Sequence, residues 1–268
     1  RIMTLNDAHI FCADIAEVED EVEGVLRFME EVYGVLGLKD YSYRLSLGDP
    51  DDKEKYVDNP PMWEKGEALL RHVLQKVGLK FTEEKGEAAF YGPKIDVQFR
   101  TAAGHAETLV TIQVDFHLPA QFGLEYVGED GERHQPIIVH RGVISTLERM
   151  VALLIEEYEG NFPLWLSPVQ AVVIPIADRH IEYANEVAAE LRKAKLRVEV
   201  DSRNERMQGK IRDAQLKKVP YMLVVGDREA EARAAAVRVR GGGDLGSTPV
   251  SDIVDRLRNE RDSKALAP

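Results

Sequence analysis

Apolar residues between Pro136 and Gly160 follow two different periods. Residues 137–139 are consecutive β-branched apolar residues, which indicates a short buried strand. From Ser145 onward the apolar positions recur at helical spacing, at Leu147, Met150, Val151, Leu154 and Ile155. Gly160 is a typical helix stop. The pattern therefore predicts a buried strand, a turn at Gly142 and an amphipathic helix.

The predicted helix carries Glu148 and Arg149 beside its apolar positions, which predicts an apolar setting for Arg149. Such a setting is unusual because arginine is rarely buried without a partner. One interpretation is a structural ion pair between Arg149 and Glu148 or another acid. The other is that Arg149 binds a ligand.

The same two periods predict the other elements of the first part of the chain. These are a strand at 1–12, a helix at 17–37, a strand at 41–47, an acidic surface loop at 49–61 and a helix at 62–77. Alternation in the first strand puts His9 and Cys12 on opposite faces, which disfavours a metal site that uses both. Taken alone, His9 is more simply a half-buried, hydrogen-bonded histidine.

Two further strand patterns, at 95–99 and 108–116, flank a predicted hairpin turn at 102–105. In the second strand Thr111, Gln113 and Asp115 alternate with apolar residues. Polar side chains are unfavourable if buried without partners, so this face is either solvated or lines a polar pocket. Other segments contribute further polar residues, namely Asp7, His9, Tyr91, Lys94, His140 and Arg149. This convergence predicts a ligand cleft.

The chain changes character at residues 162–168, where two prolines, a tryptophan and a serine predict a short stiff linker. Beyond it, strands are predicted at 169–176, 196–201, 220–225 and 235–240, and helices at 178–194, 207–218 and 249–260. This alternation is typical of an α/β domain with a mostly parallel sheet and helices on both faces. We place the domain boundary between residues 163 and 164.

Charge is distributed unevenly along the chain. The formal net charge is −12, with 16 Lys+Arg against 31 Asp+Glu in residues 1–164, and 19 against 16 in residues 165–268. The acidic total disfavours non-specific coating of nucleic acid. The basic second half indicates a polyanionic partner, although its helix at 207–218 is also compatible with a solvated charged face.

One cysteine, Cys12, excludes an internal disulfide framework and suits a reducing cytosol. No apolar run is long enough for a membrane span, and no signal peptide is evident. The chain begins at Arg1 and runs directly into a strand pattern. We therefore expect an N-terminal part to be missing.

Six segments carry a resemblance to a known family. They are DAHIFC at 7–12, AFYGPKIDV at 89–97, TIQVDFHLP at 111–119, YVGEDGERHQPIIVHRG at 126–142, TLERMVALLIEEYEGNFPLWLSPVQ at 146–170 and VPYMLVVGDRE at 219–229. Nearly the whole chain resembles the C-terminal part of bacterial-type threonyl-tRNA synthetases, which belong to the class II aminoacyl-tRNA synthetases. The FYGPKI segment, together with the Glu-Arg helix, separates this resemblance from the prolyl, glycyl and histidyl relatives.

The resemblance implies a fold that is α+β in one domain and α/β in the other. Residues 1–163 would form an N-terminally truncated class II catalytic domain with an antiparallel sheet. Residues 164–268 would form a class IIa anticodon-binding domain. The implied activity is that of a threonine–tRNA ligase, which activates L-threonine with ATP to threonyl-adenylate and transfers it to the 3′ end of threonine tRNA.

The family is cytoplasmic and homodimeric, uses Mg²⁺ with ATP, and holds Zn²⁺ through one cysteine and two histidines. His9 and His140 match the two histidines, and the cysteine lies upstream of Arg1. Protein side chains would fill three coordination positions of the zinc, and threonine would take the fourth. Valine would be rejected because it lacks the hydroxyl group of threonine.

Other residues match further positions of the family. Asp7, Tyr91 and Gln113 match residues that bind threonine, with Asp7 accepting its hydroxyl. The positions around ATP are Lys94, Thr108, Thr111, Thr146 and Arg149, and the catalytic assignments among them are Lys94 and Arg149. The positions that read anticodon bases are Asn204, Arg206, Arg212, Glu229 and Arg238.

The chain also departs from the family. Leu5 and Thr108 stand where many members carry glutamine, and Leu109-Val110 replaces a pair resembling Cys/Ser-Gly. The motif with a second essential arginine and the dimer-forming motif lie upstream, so we expect the chain to be inactive alone.

Two alternatives remain. A synthetase-like tRNA-binding or regulatory protein without catalysis is disfavoured by the presence of His9, His140, Lys94 and Arg149. An unrelated nucleotide-binding module at 165–268 is disfavoured because no glycine-rich phosphate loop stands at a strand–helix junction there.

Overall fold

The computed structural model describes residues 2–101 and 104–267, which fall into two units, Arg1–Leu153 and Leu154–Pro268. The predicted turn at 102–105 therefore lies partly outside the described residues. Each unit is built around its own sheet.

The sheet of the first unit is largely antiparallel. Its described strands are β1 (Ala8–Cys12), β2 (Tyr41–Leu47), β3 (Phe81–Lys85), β4 (Lys94–Arg100), β5 (Ala106–Asp115) and β8 (Ile137–Arg141). A small separate hairpin pairs β6 (Tyr126–Val127) with β7 (Arg133–His134). The six strands lie in the order β1-β8-β5-β4-β2-β3, and only the β2–β3 pairing is parallel among those described. The predicted antiparallel sheet is confirmed, whereas strand β3 was not predicted.

Two long helices pack on the first unit. Helix α1 (Ile15–Leu36) begins at Asp14, whose side chain accepts the Glu17 N–H, and ends at Gly37 with φ 72°. Helix α2 (Pro60–Val77) begins at Asn59 and ends at Gly78 with φ 80°. A left-handed residue at a helix end is inexpensive only for glycine, which explains both stops.

These helices determine which sheet face becomes the core. Alternate strand residues such as Ile95, Ile112 and Val139 are fully buried, as are Leu26 of α1 and Leu70 of α2. Successive side chains of a strand point to opposite faces. The strand residues that alternate with these buried ones therefore lie on the second face of the sheet, which is polar.

The segment around residue 149 differs from the prediction. Helix α4 spans Leu147–Glu157, and a short helix α3 (Leu118–Gln121) precedes it in the chain. Of the predicted apolar stripe only Met150 and Leu154 are buried; Leu147, Val151 and Ile155 are 51%, 44% and 48% exposed. Arg149 is also exposed, so the expectation of an apolar setting was wrong. Helical spacing identified a face but not whether anything covers it.

The sheet of the second unit is mixed rather than mostly parallel. Its described strands are β9 (Ala171–Pro175), β10 (Val198–Val200), β11 (Tyr221–Val225), β12 (Ala234–Val239) and β13 (Gly243–Pro249). Strand β9 pairs in parallel with β10 on one side and β11 on the other, while β12 and β13 add antiparallel pairings. The α/β class is confirmed, but the expectation of a mostly parallel sheet was wrong for its β12–β13 half.

Helices cover both faces of this sheet, as predicted. The elements are a 3₁₀ turn at Asp178–His180 and helices α5 (Ile181–Lys193), α6 (Met207–Leu216), α7 (Asp227–Ala232) and α8 (Val250–Asp262). Leu191 of α5 and Leu257 of α8 share a core cluster with Leu223. Ile211 of α6 lies in a separate cluster with Met222. Adjacent β11 residues point to opposite faces, so α5 and α8 cover one face and α6 the other.

Candidate functional sites

Polar residues form a continuous row across the first sheet. Strand pairing sets His9 opposite His140, His140 opposite Gln113, and Gln113 opposite Lys94. Directly paired residues of neighbouring strands point to the same face. The strand pairing therefore brings four predicted site residues from β1, β8, β5 and β4 into one row.

The two imidazoles at one end of this row are in contact. The rings of His9 and His140 meet edge to face with centroids 4.6 Å apart. Asp7 lies beside them, with its Oδ2 4.0 Å from Nε2 of His9. Imidazole nitrogens are common zinc ligands, so this pair fits two positions of a tetrahedral site. Within the described part of the chain, no group of three His, Cys, Asp or Glu side chains is placed to hold a metal.

Tyr91 and Gln113 lie against the histidine pair. The Tyr91 ring is 5.3 Å from that of His140, and its hydroxyl donates to Oε1 of Gln113. The Gln113 amide in turn donates to Oγ1 of Thr111 at 3.2 Å. Burial raises the pKa of Tyr91 to about 12, with smaller contributions from the charges of Asp115 and Asp7. Tyr91 is therefore a neutral hydroxyl donor at physiological pH.

Lys94 is held by a carboxylate that the sequence did not single out. Its Nζ lies 2.9 Å from Oδ1 of Asp96, whose side chain is fully buried. Arg44 and Ser46 of β2 both donate to the other Asp96 oxygen at 2.7 Å. An unpartnered buried carboxylate is strongly unfavourable, so the ion pair with Lys94 and the donors Arg44 and Ser46 account for its presence in the interior. They also hold Lys94 in a defined direction.

Three of the predicted ATP residues meet at the start of α4. The Arg149 guanidinium donates to the backbone oxygen of Thr108 at 3.3 Å. The Arg149 N–H donates to Oγ1 of Thr146 at 3.2 Å, so Thr146 caps the first turn. Glu148 accepts instead from the backbone N–H of Thr4, so the proposed ion pair with Arg149 is not formed.

Asp115, Asp96 and Arg44 are site residues that the sequence analysis did not assign. Asp115 is fully buried, and its Oδ2 lies 2.9 Å from Nε2 of His140. The alternation of Asp115 with apolar residues gave a signal for its face, but its partner lies 25 positions away. No spacing rule within one strand could identify a partner on another.

Cys12 is the single cysteine and lies in the core. Burial raises the pKa of its thiol to about 11, and nearby Glu21, Glu17 and Asp14 add to the shift. Because the thiolate is the reactive form, Cys12 is chemically inert near neutral pH.

The predicted anticodon residues of the second unit lie near the ends of its parallel strands. Asn204 follows β10 and Arg206 immediately precedes α6, while Glu229 lies in α7 after β11. Strands β10 and β11 flank β9, so all three residues follow the carboxyl edge where the chain order reverses. Such an edge is the usual ligand crevice of an open α/β sheet.

The remaining two lie on α6 and on the sheet face that α6 covers. Arg212 is exposed on α6, and Arg238 of β12 is paired with Met222, which packs in the α6 cluster. The side chain of Arg238 is 43% exposed and lies 3.7 Å from Asp244. Glu229 caps α7 by accepting the Gly226 N–H at 3.0 Å.

The arginine side chains in and just before α6 differ in whether they form ion pairs. Arg203 pairs with Asp201 and Asp213. Among the residues that the structure describes, no ion pair involves Arg206 or Arg212. Unpaired guanidinium groups are available for phosphate or base contacts.

Comparison with known proteins identifies the class first. Residues 1–158 match the tRNA synthetase class II core domain (G, H, P, S and T), and residues 170–260 match the anticodon binding domain. The chain therefore belongs to the class II tRNA synthetases.

Within this class, the chain is similar to threonine–tRNA ligases. The chain is 52% identical over 261 residues to the threonine–tRNA ligase of Halalkalibacterium halodurans, covering 97% of this chain and 40% of that protein. It is 54% identical to that of Geobacillus kaustophilus, covering 90% of this chain and 37% of the relative. The chain thus spans about 40% of the length of the curated relatives it matches.

Solved structures agree with these relatives. The fold matches a crystal structure described as the RNA binding domain of threonyl-tRNA synthetase from Cryptosporidium parvum, with TM-score 0.87, 32% identity and coverage of 99% of this chain and 65% of that one. A threonyl-tRNA synthetase from Aeropyrum pernix, described as putative, matches with TM-score 0.75, 27% identity and coverage of 99% and 65%. None of the helices that the structure describes combines the length and the apolar character needed to cross a bilayer.

Proposed function

We propose that the protein containing this chain is a threonine–tRNA ligase. It would activate L-threonine with ATP and Mg²⁺ to threonyl-adenylate, and transfer threonine to the 3′ end of threonine tRNA. The observation that carries the proposal is the row of His9, His140, Gln113 and Lys94 on one sheet face. Residues 1–163 would belong to the catalytic domain and residues 164–268 would bind the anticodon.

Threonine recognition is assigned to the histidine end of the row. His9 and His140 would hold Zn²⁺ together with a cysteine outside this chain. The zinc would serve as a Lewis acid toward the amino and hydroxyl groups of threonine. Asp7 would accept the threonine hydroxyl, and Tyr91 and Gln113 would orient the amino acid. Valine would be rejected because it has no hydroxyl group, so the polar groups that would contact the threonine hydroxyl would be left without a partner.

ATP is assigned to the other end of the row and to the start of α4. Lys94, Thr111, Thr108, Thr146 and Arg149 are the proposed contacts. The threonine carboxylate would attack the α-phosphorus and release pyrophosphate, a reaction that needs no enzyme nucleophile. Lys94 and Arg149 would act by positioning the phosphates and by compensating the charge that develops on them.

The second unit is proposed to read the anticodon of threonine tRNA. Guanidinium, amide and carboxylate groups can recognise the edges of unstacked bases. Asn204, Arg206, Arg212, Glu229 and Arg238 are assigned this role, supported by their grouping near one sheet edge and on the α6 side. We also propose that the complete enzyme is a cytoplasmic homodimer.

The test of the catalytic proposal is threonine-dependent exchange between ATP and pyrophosphate in the complete protein. The proposal predicts exchange with threonine and little with valine. Arg149→Ala should lower the exchange rate about 100-fold or more, since a preorganised charge in the transition state is lost. Arg133→Ala is the matched control, because Arg133 is exposed on the β6–β7 hairpin and pairs with Glu125.

Two outcomes would count against these assignments. Near-normal exchange by Arg149→Ala would exclude Arg149 from ATP activation. A complete protein that binds threonine tRNA but shows no exchange would favour the alternative, a synthetase-like tRNA-binding protein without catalysis.

A further inference from the structure

Asp115 has a hydrogen-bonding partner on each carboxylate oxygen although its side chain is fully buried. Oδ1 accepts the backbone N–H groups of His117 and Leu118, both at 2.8 Å. Oδ2 lies 2.9 Å from Nε2 of His140. Backbone N–H groups can only donate, so they fix Oδ1 as an acceptor and thereby fix the direction in which Oδ2 points.

This arrangement dictates where the His140 ring carries its proton. A carboxylate oxygen can only accept, so the contact requires a proton on Nε2 of His140. A neutral imidazole has one N–H group, which leaves Nδ1 with its lone pair. The His140 side chain is only 16% exposed, so few water molecules compete for this contact.

We propose that Asp115 is a positioning residue that holds His140 in the Nε2–H tautomer and keeps the Nδ1 lone pair available to a metal ion. The inference rests on the proposed function, because it takes His140 and His9 as zinc ligands. A carboxylate on the far nitrogen of a ligating histidine orients the ring and raises its basicity. Asp115 would do both without touching the metal.

The substitution Asp115→Asn separates positioning from folding. Its side-chain oxygen can still accept from the backbone N–H groups of His117 and Leu118, so these two hydrogen bonds before and at the start of α3 are kept. The amide NH₂ then faces His140 and can only donate. His140 must accept through Nε2, which moves the ring proton to Nδ1. The variant therefore inverts the tautomer while conserving side-chain size.

Nitrogen-15 NMR of histidine-labelled protein reads this tautomer directly, without metal or substrate. The chain has seven histidines, and His140→Gln assigns the relevant signal. At a pH where His140 is neutral, we expect Nε2–H in the unsubstituted chain and Nδ1–H in Asp115→Asn. Asp130→Asn is the matched control, since Asp130 contacts the exposed His134 on the hairpin. An Nδ1–H tautomer in the unsubstituted chain, or the same tautomer in both proteins, would overturn the inference.

Zinc affinity, measured by competition with a chromophoric chelator, tests the consequence. In the complete protein, which supplies the proposed cysteine ligand, Asp115→Asn should bind Zn²⁺ about 10–100-fold more weakly than the unsubstituted protein, as loss of such a partner typically does. Asp130→Asn should bind it equally well. Zinc binding that depends on His9 and His140 but not on Asp115 would overturn the inference alone. Failure of the unsubstituted complete protein to bind zinc, with the Nε2–H tautomer present, would instead contradict the zinc assignment of the proposed function.

Discussion

At the scale of single residues, the buried carboxylates Asp115 and Asp96 each contact a side chain of another strand, His140 and Arg44 respectively. The sequence pattern predicted that Thr111, Gln113 and Asp115 share one face, because alternation within a strand is visible in the sequence. It could not assign Asp115 to His140, or Asp96 to Arg44, since these pairs depend on strand register. It also expected Arg149 in an apolar setting, whereas the side chain is exposed.

The Asp96 cluster gives a prediction at this scale. Arg44→Ala should destabilise the protein, because it removes a donor from a fully buried carboxylate. Breaking a buried pair typically costs about 3–5 kcal/mol, and we expect the lower end because Lys94 and Ser46 remain. Urea unfolding measures the change.

The control is Arg100→Ala at the end of the neighbouring strand. Arg100 lies 4.0 Å from Asp40, and both side chains are more than half exposed. An exposed pair contributes less than about 1 kcal/mol. Equal losses for the two variants would contradict the structural role assigned to Asp96.

At the scale of elements, the sequence identified long periodic segments and missed short ones. Helices α1 and α2 were predicted because each has an apolar stripe and a glycine stop. Helix α7 has no buried residue, and strand β13 is rich in glycine and polar residues. Both are held by neighbouring elements rather than by their own pattern, so no periodicity could indicate them.

Gly92 gives a prediction at the scale of elements, since it lies where the chain before β4 passes β5. A Cβ at this position would stand 2.1 Å from the backbone oxygen of Val114, which cannot move independently of its strand. Gly92→Ala should therefore destabilise the protein by about 1–3 kcal/mol or more, the usual range for overpacking. The urea concentration at the midpoint of unfolding should therefore fall.

Gly24→Ala is the matched control on the exposed side of α1. A Cβ there meets nothing within 4 Å, and helix-interior glycine is less favourable than alanine by about 0.5–1 kcal/mol. Gly24→Ala should accordingly stabilise the protein. A neutral Gly92→Ala would show that the two segments are not packed this closely.

At the scale of the whole molecule, the family resemblance implied an antiparallel sheet in the first unit, and the alternation of strands and helices predicted an α/β class for the second. Both classes are confirmed. Parallel and antiparallel pairing were harder to separate in the second unit, because β12 follows β11 after only a short helix. The sequence could not indicate that this short connection returns the chain as an antiparallel neighbour.

The core of the second unit makes a prediction about folding. All described members of its two main clusters, buried or packed against them, lie between Leu164 and Leu257. A segment comprising residues 164–268 should therefore unfold cooperatively by itself in urea. Circular dichroism and tryptophan fluorescence should report one coincident transition. A gradual, non-cooperative loss of signal would show that this core needs the first unit.

The central proposal is that the second unit of this chain recognises the anticodon of threonine tRNA. Its most direct test is titration of the chain with a threonine-tRNA anticodon stem-loop and with the same stem-loop carrying a swapped anticodon. The titration is repeated at two salt concentrations, because phosphate contacts release counterions and weaken as salt rises.

We predict tighter binding to the threonine anticodon. Arg238→Ala should lose discrimination by about 1–3 kcal/mol, the usual value of one base contact. Lys217→Ala, which changes an exposed lysine just after α6, should weaken both stem-loops equally. Equal affinity of the unsubstituted chain for the two anticodons would contradict the claim.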